Sequence, residues 1–302
     1  MRKHIRFDWA VKKLLRSKSN FCVLEGFLSE LLGQEIKIKT LLESESNKEQ
    51  EDSKQNRVDL LAEDQENKLL LIEVQCGSEV DYFHRIAFNT SRLISEYLNK
   101  SDDYGKIRKV ITVNIIYFDF GQGNDYIYYG NTTFKGRHDE KDILKPSLRQ
   151  MKEFNIKNVH DIFPEHYILK VNNFNDVAHN SLDEWIYFLK NSEIKDEFSA
   201  KGMSQAREKL DEINLTKEEW PNYKAYLKRC HDEASFAFNA RIELEQEREL
   251  GKKEGIALGI DEGMALVIQS MSKTLDVNSI AKILNLTHAQ VSHYLDFQIK
   301  ST

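Results

Sequence analysis

The sequence predicts an α/β core followed by a helical C-terminal part. Short apolar runs typical of strands occupy the first half of the chain, and stretches with helical spacing separate them. From Ser181 onward the pattern is helical to the end. Only three of the 302 residues are proline, which leaves room for long helices. We therefore expect an α/β domain over residues 1–180 and a helical region over residues 181–302.

The first elements each have their own signal. Residues 21–33 place apolar side chains on one helical face, and Gly33 suits a C-terminal stop. Residues 35–42 alternate between apolar and polar, as a half-buried strand does. The following segment, ESESNKEQEDSKQN, has no apolar residue and predicts a loop. Two strands at 57–62 and 68–76, joined by the polar turn EDQEN, then predict a hairpin.

The rest of the core alternates between helix and strand. A helix is predicted over residues 80–99, with an apolar face made of Phe83, Ile86, Ala87, Thr90, Leu93, Ile94, Tyr97 and Leu98. Residues 110–118 form an almost unbroken β-rich run, as expected for a strand buried on both faces. Two further strands are predicted at 125–130 and 166–172.

Composition excludes several classes of protein. Aromatic residues make up 10% and the net charge is −6, whereas disordered chains have few aromatics and a large charge imbalance. No apolar run approaches the ~18 residues that span a membrane. The first residues lack the apolar segment of a secretory signal. The three widely spaced cysteines fit a reducing compartment and show no zinc-binding spacing. We therefore expect a cytoplasmic protein with no membrane partner.

The N-terminal segment is strongly basic. Residues 1–20 hold seven Lys or Arg residues against one acid, Asp8, and Lys12, Lys13 and Arg16 are among them. A basic segment on an acidic body suggests contact with a polyanion such as DNA. The apolar residues of the segment also have helical spacing, so a solvated amphipathic helix is the alternative interpretation.

Two carboxylates and an amide stand out in the predicted hairpin. If the hairpin turns about Glu66, Asp59 lies directly opposite Glu73 on one face of the sheet. Gln75 shares that face because it follows Glu73 by two residues. Two ionised carboxylates so close repel each other, and either a bound cation or a raised pKa of one carboxyl group relieves the repulsion. Burying the charge of Glu73 inside the apolar run LLLIEVQ also costs free energy, which favours a functional role for this residue.

Glu25 is a third candidate. On a helical wheel it lies at the edge of the apolar face of the helix at 21–33, so it is expected to face the sheet. Acidic residues at the ends of strands are commonly solvated, however, and a pair of carboxylates fourteen residues apart arises readily by chance. The residues alone thus leave a structural interpretation of these acids open.

The pattern Asp59-x(13)-Glu73-x-Gln75, behind a helix carrying Glu25, resembles the PD-(D/E)XK nuclease fold. The resemblance is closest to the nuclease-family transposases, the Rpn-type recombination-promoting nucleases, in which glutamine replaces the lysine of the last motif. It extends to the segments RFDWAVKKLL, LEGFLSELL, YFHRIAFNTSRLISEYL, KVITVNIIYFDF and SIAKILNLTHAQVSHYL, in order along the chain. The resemblance implies a restriction-endonuclease-like core, a mixed central sheet flanked by helices, with an all-helical C-terminal part.

The resemblance also implies site residues and a cofactor. Asp59 and Glu73 would bind a divalent metal, most simply Mg²⁺ and alternatively Mn²⁺ or Ca²⁺, together with the backbone carbonyl of Val74. Glu25 would complete or orient the acidic site. Gln75 would orient the attacking water, although a neutral amide is not a strong base. The implied reaction is metal-assisted hydrolysis of a phosphodiester bond in DNA.

The predicted helix at 80–99 carries two arginines seven residues apart, Arg85 and Arg92. That spacing lines them up on one side of the helix, where they would contact backbone phosphates of DNA. A solvated helix face is the alternative, especially for Arg92. Arg85 matches an arginine common in the resembling family and is the first choice for DNA contact.

The C-terminal region holds two further patterns. Gly251, Gly255, Gly259 and Gly263 recur every four residues, which on a helix permits close approach of a second helix in the same chain or in a homodimer. A loosely helical linker over 251–263 is equally compatible. Residues 276–298 predict a small helix-turn-helix-like module. Its second helix has no Lys or Arg, which favours docking over DNA reading.

The sequence thus predicts a metal-dependent DNA endonuclease linked to recombination or mobile elements. The alternative is an inactive nuclease fold that acts as a DNA-binding or protein-interaction module, and the glutamine at position 75 keeps it open. We expect loss of Asp59 or Glu73 to abolish cleavage without harm to the fold, because removing one of two repelling acids relieves strain.

Overall fold

The computed structural model describes residues 4–13, 17–42, 60–98 and 101–297. The chain divides into two compact units, Met1–Ala234 and Ser235–Thr302. Within the described residues, no helix combines the length and the apolar character needed to cross a membrane.

The first unit contains the sheet and most of the helices. In chain order its helices and strands are α1 (Phe7–Lys13), α2 (Phe21–Leu32), β1 (Ile38–Leu41), β2 (Leu60–Asp64), β3 (Leu69–Gln75), α3 (Tyr82–Glu96), β4 (Val110–Ile116), β5 (Ile127–Gly130), α4 (Leu148–Phe154), β6 (Glu165–Lys170), α5 (Ser181–Asn191) and α6 (Met203–Lys209). A long helix, α7 (Glu219–Met271), follows, and α8 (Val277–Leu284) and α9 (His288–Asp296) complete the second unit. The sequence prediction omitted α4.

The six strands form one mixed sheet in the order β1-β2-β3-β4-β6-β5. The β2–β3 hairpin is antiparallel, and its turn lies where the sequence predicted it, with Leu60 opposite Ile72 and Leu61 opposite Leu71. β3 pairs with β4 in parallel, so that Glu73 lies beside Asn114, and β4 pairs in parallel with β6. The predicted α/β fold with a mixed sheet and a helical C-terminal part is confirmed.

One face of the sheet packs on α1, α2 and α5 through aromatic side chains. The Phe7 ring lies 5.3 Å from that of Phe27 and 6.2 Å from those of Trp185 and Phe188. All four side chains are fully buried. Because Trp185 and Phe188 belong to α5, this helix is part of the first unit. The first unit extends to Ala234, beyond residue 180, where the α/β domain was expected to end.

Close contact between α2 and the segment before α6 depends on glycine. A Cβ atom on Gly26 would lie against the carbonyl of Lys201 and 2.6 Å from the Cα of Gly202. Gly202 itself has φ +81, a left-handed conformation that glycine adopts without strain. At the other end of α2, Gly33 is the left-handed residue that ends the helix, as predicted.

The N-terminal segment is more deeply buried than either sequence interpretation required. Phe7, Asp8, Trp9, Ala10 and Val11 are all almost entirely inaccessible. The described part of α1 is therefore a core helix rather than a solvated amphipathic one. The side chains of Lys12 and Lys13 and the whole of Arg16 lie outside the described residues.

The other face of the sheet is covered by α3, and six of the eight residues of its predicted apolar face are buried or half-buried. Tyr82, Asn89 and Leu93 are fully buried, whereas Phe83 is 56% exposed and Ala87 is also exposed. The prediction that Phe83 and Ala87 face the core was wrong. It took hydrophobicity as the only reason for burial, and the polar Asn89 is buried because it has a partner in the sheet.

In the second unit, α8 and α9 pack on the end of α7. Ile268, Ile280, Ala281 and Val291 form a small core with Leu284, Leu286 and Leu295 against it. Thr287 and Gln290 make the predicted capping box at the start of α9. The glycines at 251–263 are helical, yet apart from adjacent residues and the helix's own backbone, no described atom of the second unit lies within 4 Å of their Cβ positions. The prediction that they pack against another helix of the same chain is therefore not met within this unit.

Candidate active site

The candidate site lies at the end of β3, where a carboxylate is buried under α3. Glu73 is 2% exposed, in a strand whose other residues from Leu69 to Val74 are apolar. Leu69 and Leu71, on the same face of β3 as Glu73, pack with Leu93 of α3. The alternation of the strand and the helix above it thus place Glu73 between sheet and helix.

Two groups of α3 hold this carboxylate. The side-chain amide of Asn89 donates a hydrogen bond to Glu73 Oε1 at 2.6 Å. The Tyr82 hydroxyl lies 3.5 Å from Glu73 Oε2. Asn89 and Tyr82 are both fully buried. A buried carboxylate needs such donors to stay ionised, and these two also fix its orientation.

A row of polar side chains continues from Glu73 across the sheet. The Tyr82 hydroxyl also lies 3.3 Å from Asn114 Oδ1, so its one proton serves either acceptor, and the Asn114 amide donates to Thr112 Oγ1 at 3.1 Å. Thr112 Oγ1 lies 2.9 Å from Nδ1 of His166 on β6. Burial, with Lys109 as a smaller cause, lowers the pKa of His166 from its usual 6.5. Polar groups therefore line this face of three neighbouring strands.

Gln75, at the end of β3, contacts a second carboxylate, that of Glu79. Its amide nitrogen donates to Glu79 Oε1 at 2.7 Å and to the Gly77 carbonyl at 3.4 Å. Glu79 lies in the loop between β3 and α3, and the sequence analysis missed it. The available signal was an acid four residues after Gln75, in the loop that leaves the strand.

Arg85 joins the two carboxylates. Its Nη1 atom contacts both Glu79 oxygens, at 2.7 and 3.0 Å, and its Nε atom lies 3.9 Å from Glu73 Oε2. Burial opposes the charge of Arg85, but the carboxylates of Glu73 and Glu79 outweigh it and raise the pKa of the guanidinium. Arg85 therefore stays positively charged at the mouth of the site, beside the groups predicted to do the chemistry.

The other predicted residues are arranged as follows. Glu25 accepts hydrogen bonds from the Ile38 amide at 2.9 Å and from Lys37 Nζ at 3.3 Å. It therefore faces the sheet, as expected, but it anchors the start of β1. The side chain of Val74 belongs to the core on the α1 side, and Arg92 is half-buried on α3. Asp59 lies outside the described residues.

The donor atoms gathered at the end of β3 are all hard oxygens: the carboxylates of Glu73 and Glu79 and the amide oxygen of Gln75. This is the donor type that Mg²⁺ and Ca²⁺ prefer, and its chemistry fits a divalent cation of that class. The arginine between the two carboxylates adds a positive charge suited to a phosphate group.

No curated protein and no solved structure matches the chain significantly. A family model does match, over residues 5–240, which include the whole sheet and the helices that pack on it. The chain therefore belongs to the PD-(D/E)XK nuclease family transposases.

Proposed function

We propose that the protein is a divalent-metal-dependent DNA endonuclease that acts in recombination or in the movement of mobile elements. The observation that carries the proposal is Glu73, a buried carboxylate held by Asn89 at the end of an apolar strand, two residues before Gln75. The family supplies the nuclease class, and the metal, the substrate and the activity are our proposals.

The hairpin register supports Asp59 as the second metal-binding carboxylate. Leu60 pairs with Ile72, and the same register continued by one residue would bring position 59 opposite Glu73. Neighbours opposite each other in an antiparallel pair have side chains on the same face, close enough to share one cation. We therefore propose that Asp59, Glu73 and the Val74 carbonyl hold Mg²⁺, which Mn²⁺ or Ca²⁺ can replace.

The bound cation would lower the pKa of a water molecule and stabilise charge on the phosphate. The protein's own groups have separate tasks. Asn89 and Tyr82 keep the Glu73 carboxylate oriented, and Gln75 positions the attacking water through its amide. Glu25 acts from a distance by fixing β1 beside the hairpin.

DNA contact is proposed for basic residues of α3 and of the N-terminal segment. Arg85 is the first candidate, because its guanidinium lies between Glu73 and Glu79 and carries a positive charge there. Arg92 on the same helix, and Lys12, Lys13 and Arg16 of the N-terminal segment, are proposed to contact phosphates further along the duplex.

The test is cleavage of supercoiled and linear DNA by the purified full chain. It compares Mg²⁺, Mn²⁺ and Ca²⁺ with a chelator and includes Asp59→Asn, Glu73→Gln and Gln75→Ala. We expect each carboxylate variant to lose at least about 100-fold in rate, since metal stabilisation supplies several kcal/mol. Gln75→Ala should lose less, because an amide orients water but does not hold the cation alone.

Glu66→Gln is the matched control, because Glu66 lies in the turn at the opposite end of the same hairpin. This variant should cut DNA at the wild-type rate. Equal cleavage by Asp59→Asn, Glu73→Gln and wild type would remove these residues from the site. If the wild type binds DNA but does not cut it with any of the three metals, the protein is instead an inactive nuclease fold that serves as a binding module.

A further inference from the structure

A second group of metal-ligating side chains lies apart from Glu73. The carboxylate of Asp8 and the sulfur atoms of Cys76 and Cys230 all lie within 4.8 Å of one another. Asp8 is fully buried, and both cysteines are half-buried, so the group has a protected interior and a route to solvent. Neither the proposed nuclease chemistry nor the DNA contacts use these three residues.

Three distant parts of the chain bring the ligands together. Asp8 is in α1, Cys76 directly follows β3, and Cys230 is in α7. The thiol of Cys76 lies 3.3 Å from Asp8 Oδ2, and the Tyr226 hydroxyl lies 3.6 Å from the Cys76 sulfur. Spacing along the sequence gave no sign of this group, because the residues are 68 and 154 positions apart.

The charge around the group is balanced. Arg6 contacts Asp8 Oδ2 at 2.7 Å, and its guanidinium also lies 3.9 Å from the Cys76 sulfur. With neutral thiols, the Arg6–Asp8 pair alone has no net charge. If two thiol protons leave to solvent and one divalent cation binds, the total stays at zero. Exchange of two protons for one dication therefore adds no net charge to the interior.

We propose that Asp8, Cys76 and Cys230 form a binding site for a thiophilic divalent cation, Zn²⁺. Zinc takes thiolate at about 2.3 Å and carboxylate at about 2.0 Å, so tetrahedral ligands lie roughly 3.5–3.8 Å apart. The three ligand atoms need to move by about 1 Å or less to reach that geometry. A water molecule beside the Tyr226 hydroxyl completes the fourth position.

The ligand type separates this site from the nuclease site. Two thiolates select zinc over magnesium, whereas the oxygen donors around Glu73 select the reverse. Arg6 takes the role of an outer partner that orients the Asp8 carboxylate. Because Cys76 directly follows Gln75, the bound cation ties the end of β3 to α1 and α7.

The test uses the full chain purified with a non-thiol reductant and then loaded with Co²⁺ or Zn²⁺. We expect one Co²⁺ per chain with sulfur-to-cobalt charge-transfer absorption in the near ultraviolet. Cys76→Ser and Cys230→Ser should each lose this absorption and bind Zn²⁺ more weakly by over 100-fold. That exceeds the roughly 10–100-fold effect of removing an outer partner. Cys22→Ser, at the third half-buried cysteine, is the matched control and should bind as the wild type does.

Thermal unfolding gives a second readout that is independent of the absorption. Zn²⁺ should raise the Tm of the wild type and of Cys22→Ser but not that of Cys230→Ser, because a ligand of the native state stabilises it. If Cys76→Ser does not fold, Cys230→Ser alone decides, since Cys230 lies on a helix and is half-buried. A wild type without the charge-transfer absorption, or one in which Cys76 and Cys230 form a disulfide instead of binding Zn²⁺ under the reductant, overturns the proposal. Cleavage activity is not measured here, so the result stands apart from the proposed nuclease function.

Discussion

The Asn89 amide nitrogen lies 2.6 Å from Glu73 Oε1, and both side chains are sealed between α3 and β3. This hydrogen bond connects the helix to the carboxylate that the nuclease proposal needs. Substitution of Glu73 therefore has a structural effect that the sequence analysis did not expect. Removal of the carboxylate leaves the Asn89 amide without this acceptor, so Glu73→Ala should destabilise the fold, and Glu73→Gln is the better test of chemistry.

The first prediction concerns Asn89 itself. Asn89→Leu should lower the free energy of unfolding by about 1–3 kcal/mol, because it removes a donor from a buried carboxylate. It should also slow cleavage, since Glu73 is then less well oriented. Urea unfolding and plasmid nicking measure the two effects. Asn222→Leu, on the exposed surface of α7, is the control and should change neither. Unchanged stability in Asn89→Leu would contradict the role given to this bond.

The second prediction concerns Arg85. Arg85→Gln should weaken binding to duplexes of any sequence and reduce the slope of log affinity against log salt by about 1, as loss of one phosphate contact does. Glu79→Gln should tighten binding, because it removes the carboxylate that competes for the guanidinium. Fluorescence anisotropy at several salt concentrations measures both. Arg149→Gln, at an exposed arginine of α4, is the control. An unchanged salt slope in Arg85→Gln would leave Arg85 with a purely internal role.

The third prediction concerns pH. The folded state holds the pKa of His166 below 6.5, through burial and Lys109, so the unfolded chain binds the proton first as pH falls. The contribution of neutral His166 to the free energy of unfolding is therefore present above about pH 6.5 and is lost as the pH falls below that value. The slope is at most about 1.4 kcal/mol per pH unit.

Urea unfolding between about pH 8 and about pH 5.5 measures this loss. His166→Gln should flatten the decline, while His138→Gln, at an exposed histidine, should leave it as in the wild type. An equal decline in all three proteins would show that other groups cause the pH dependence.

The fourth prediction compares two glycines in helices. Gly26→Ala should destabilise the first unit by about 1–3 kcal/mol, because its Cβ meets the backbone at Lys201 and Gly202. Gly259→Ala has open space around it and should stabilise α7 by about 0.5–1 kcal/mol. Thermal unfolding distinguishes the two signs. If Gly259→Ala also weakens self-association in sedimentation, the stripe at 251–263 is the homodimer contact that the sequence suggested.

The sequence predicted the sheet well because its signals are local. The apolar runs of β3 and β4 and the polar turn between β2 and β3 fixed both the strands and the register of Leu60 opposite Ile72. The buried side of α3 was predicted only in part. Asn89 is buried because of a partner on another element, and no periodicity in the helix reports that partner.

The candidate site was likewise predicted only in part. Glu73, Gln75 and Arg85 were identified from the sequence, and the structure adds Glu79 and Asn89 beside them. Asp8 was counted only as the single acid of a basic segment, whereas it is fully buried against Arg6 and Cys76. Contacts between residues 68 or more positions apart are set by the fold, and a single sequence does not display them.

The packing of Phe7 against Trp185 and Phe188 has a consequence for biosynthesis. During synthesis α1 gains Phe27 as a neighbour early, whereas Trp185 and Phe188 follow only after about 180 further residues have been added. The β2–β3 hairpin forms from local contacts, but β3 must wait for β4, and β4 for β6, because parallel partners come from later in the chain. A nascent chain therefore emerges with β3 lacking its parallel neighbours, and the sheet that supports the candidate site is complete only after β6 has been made.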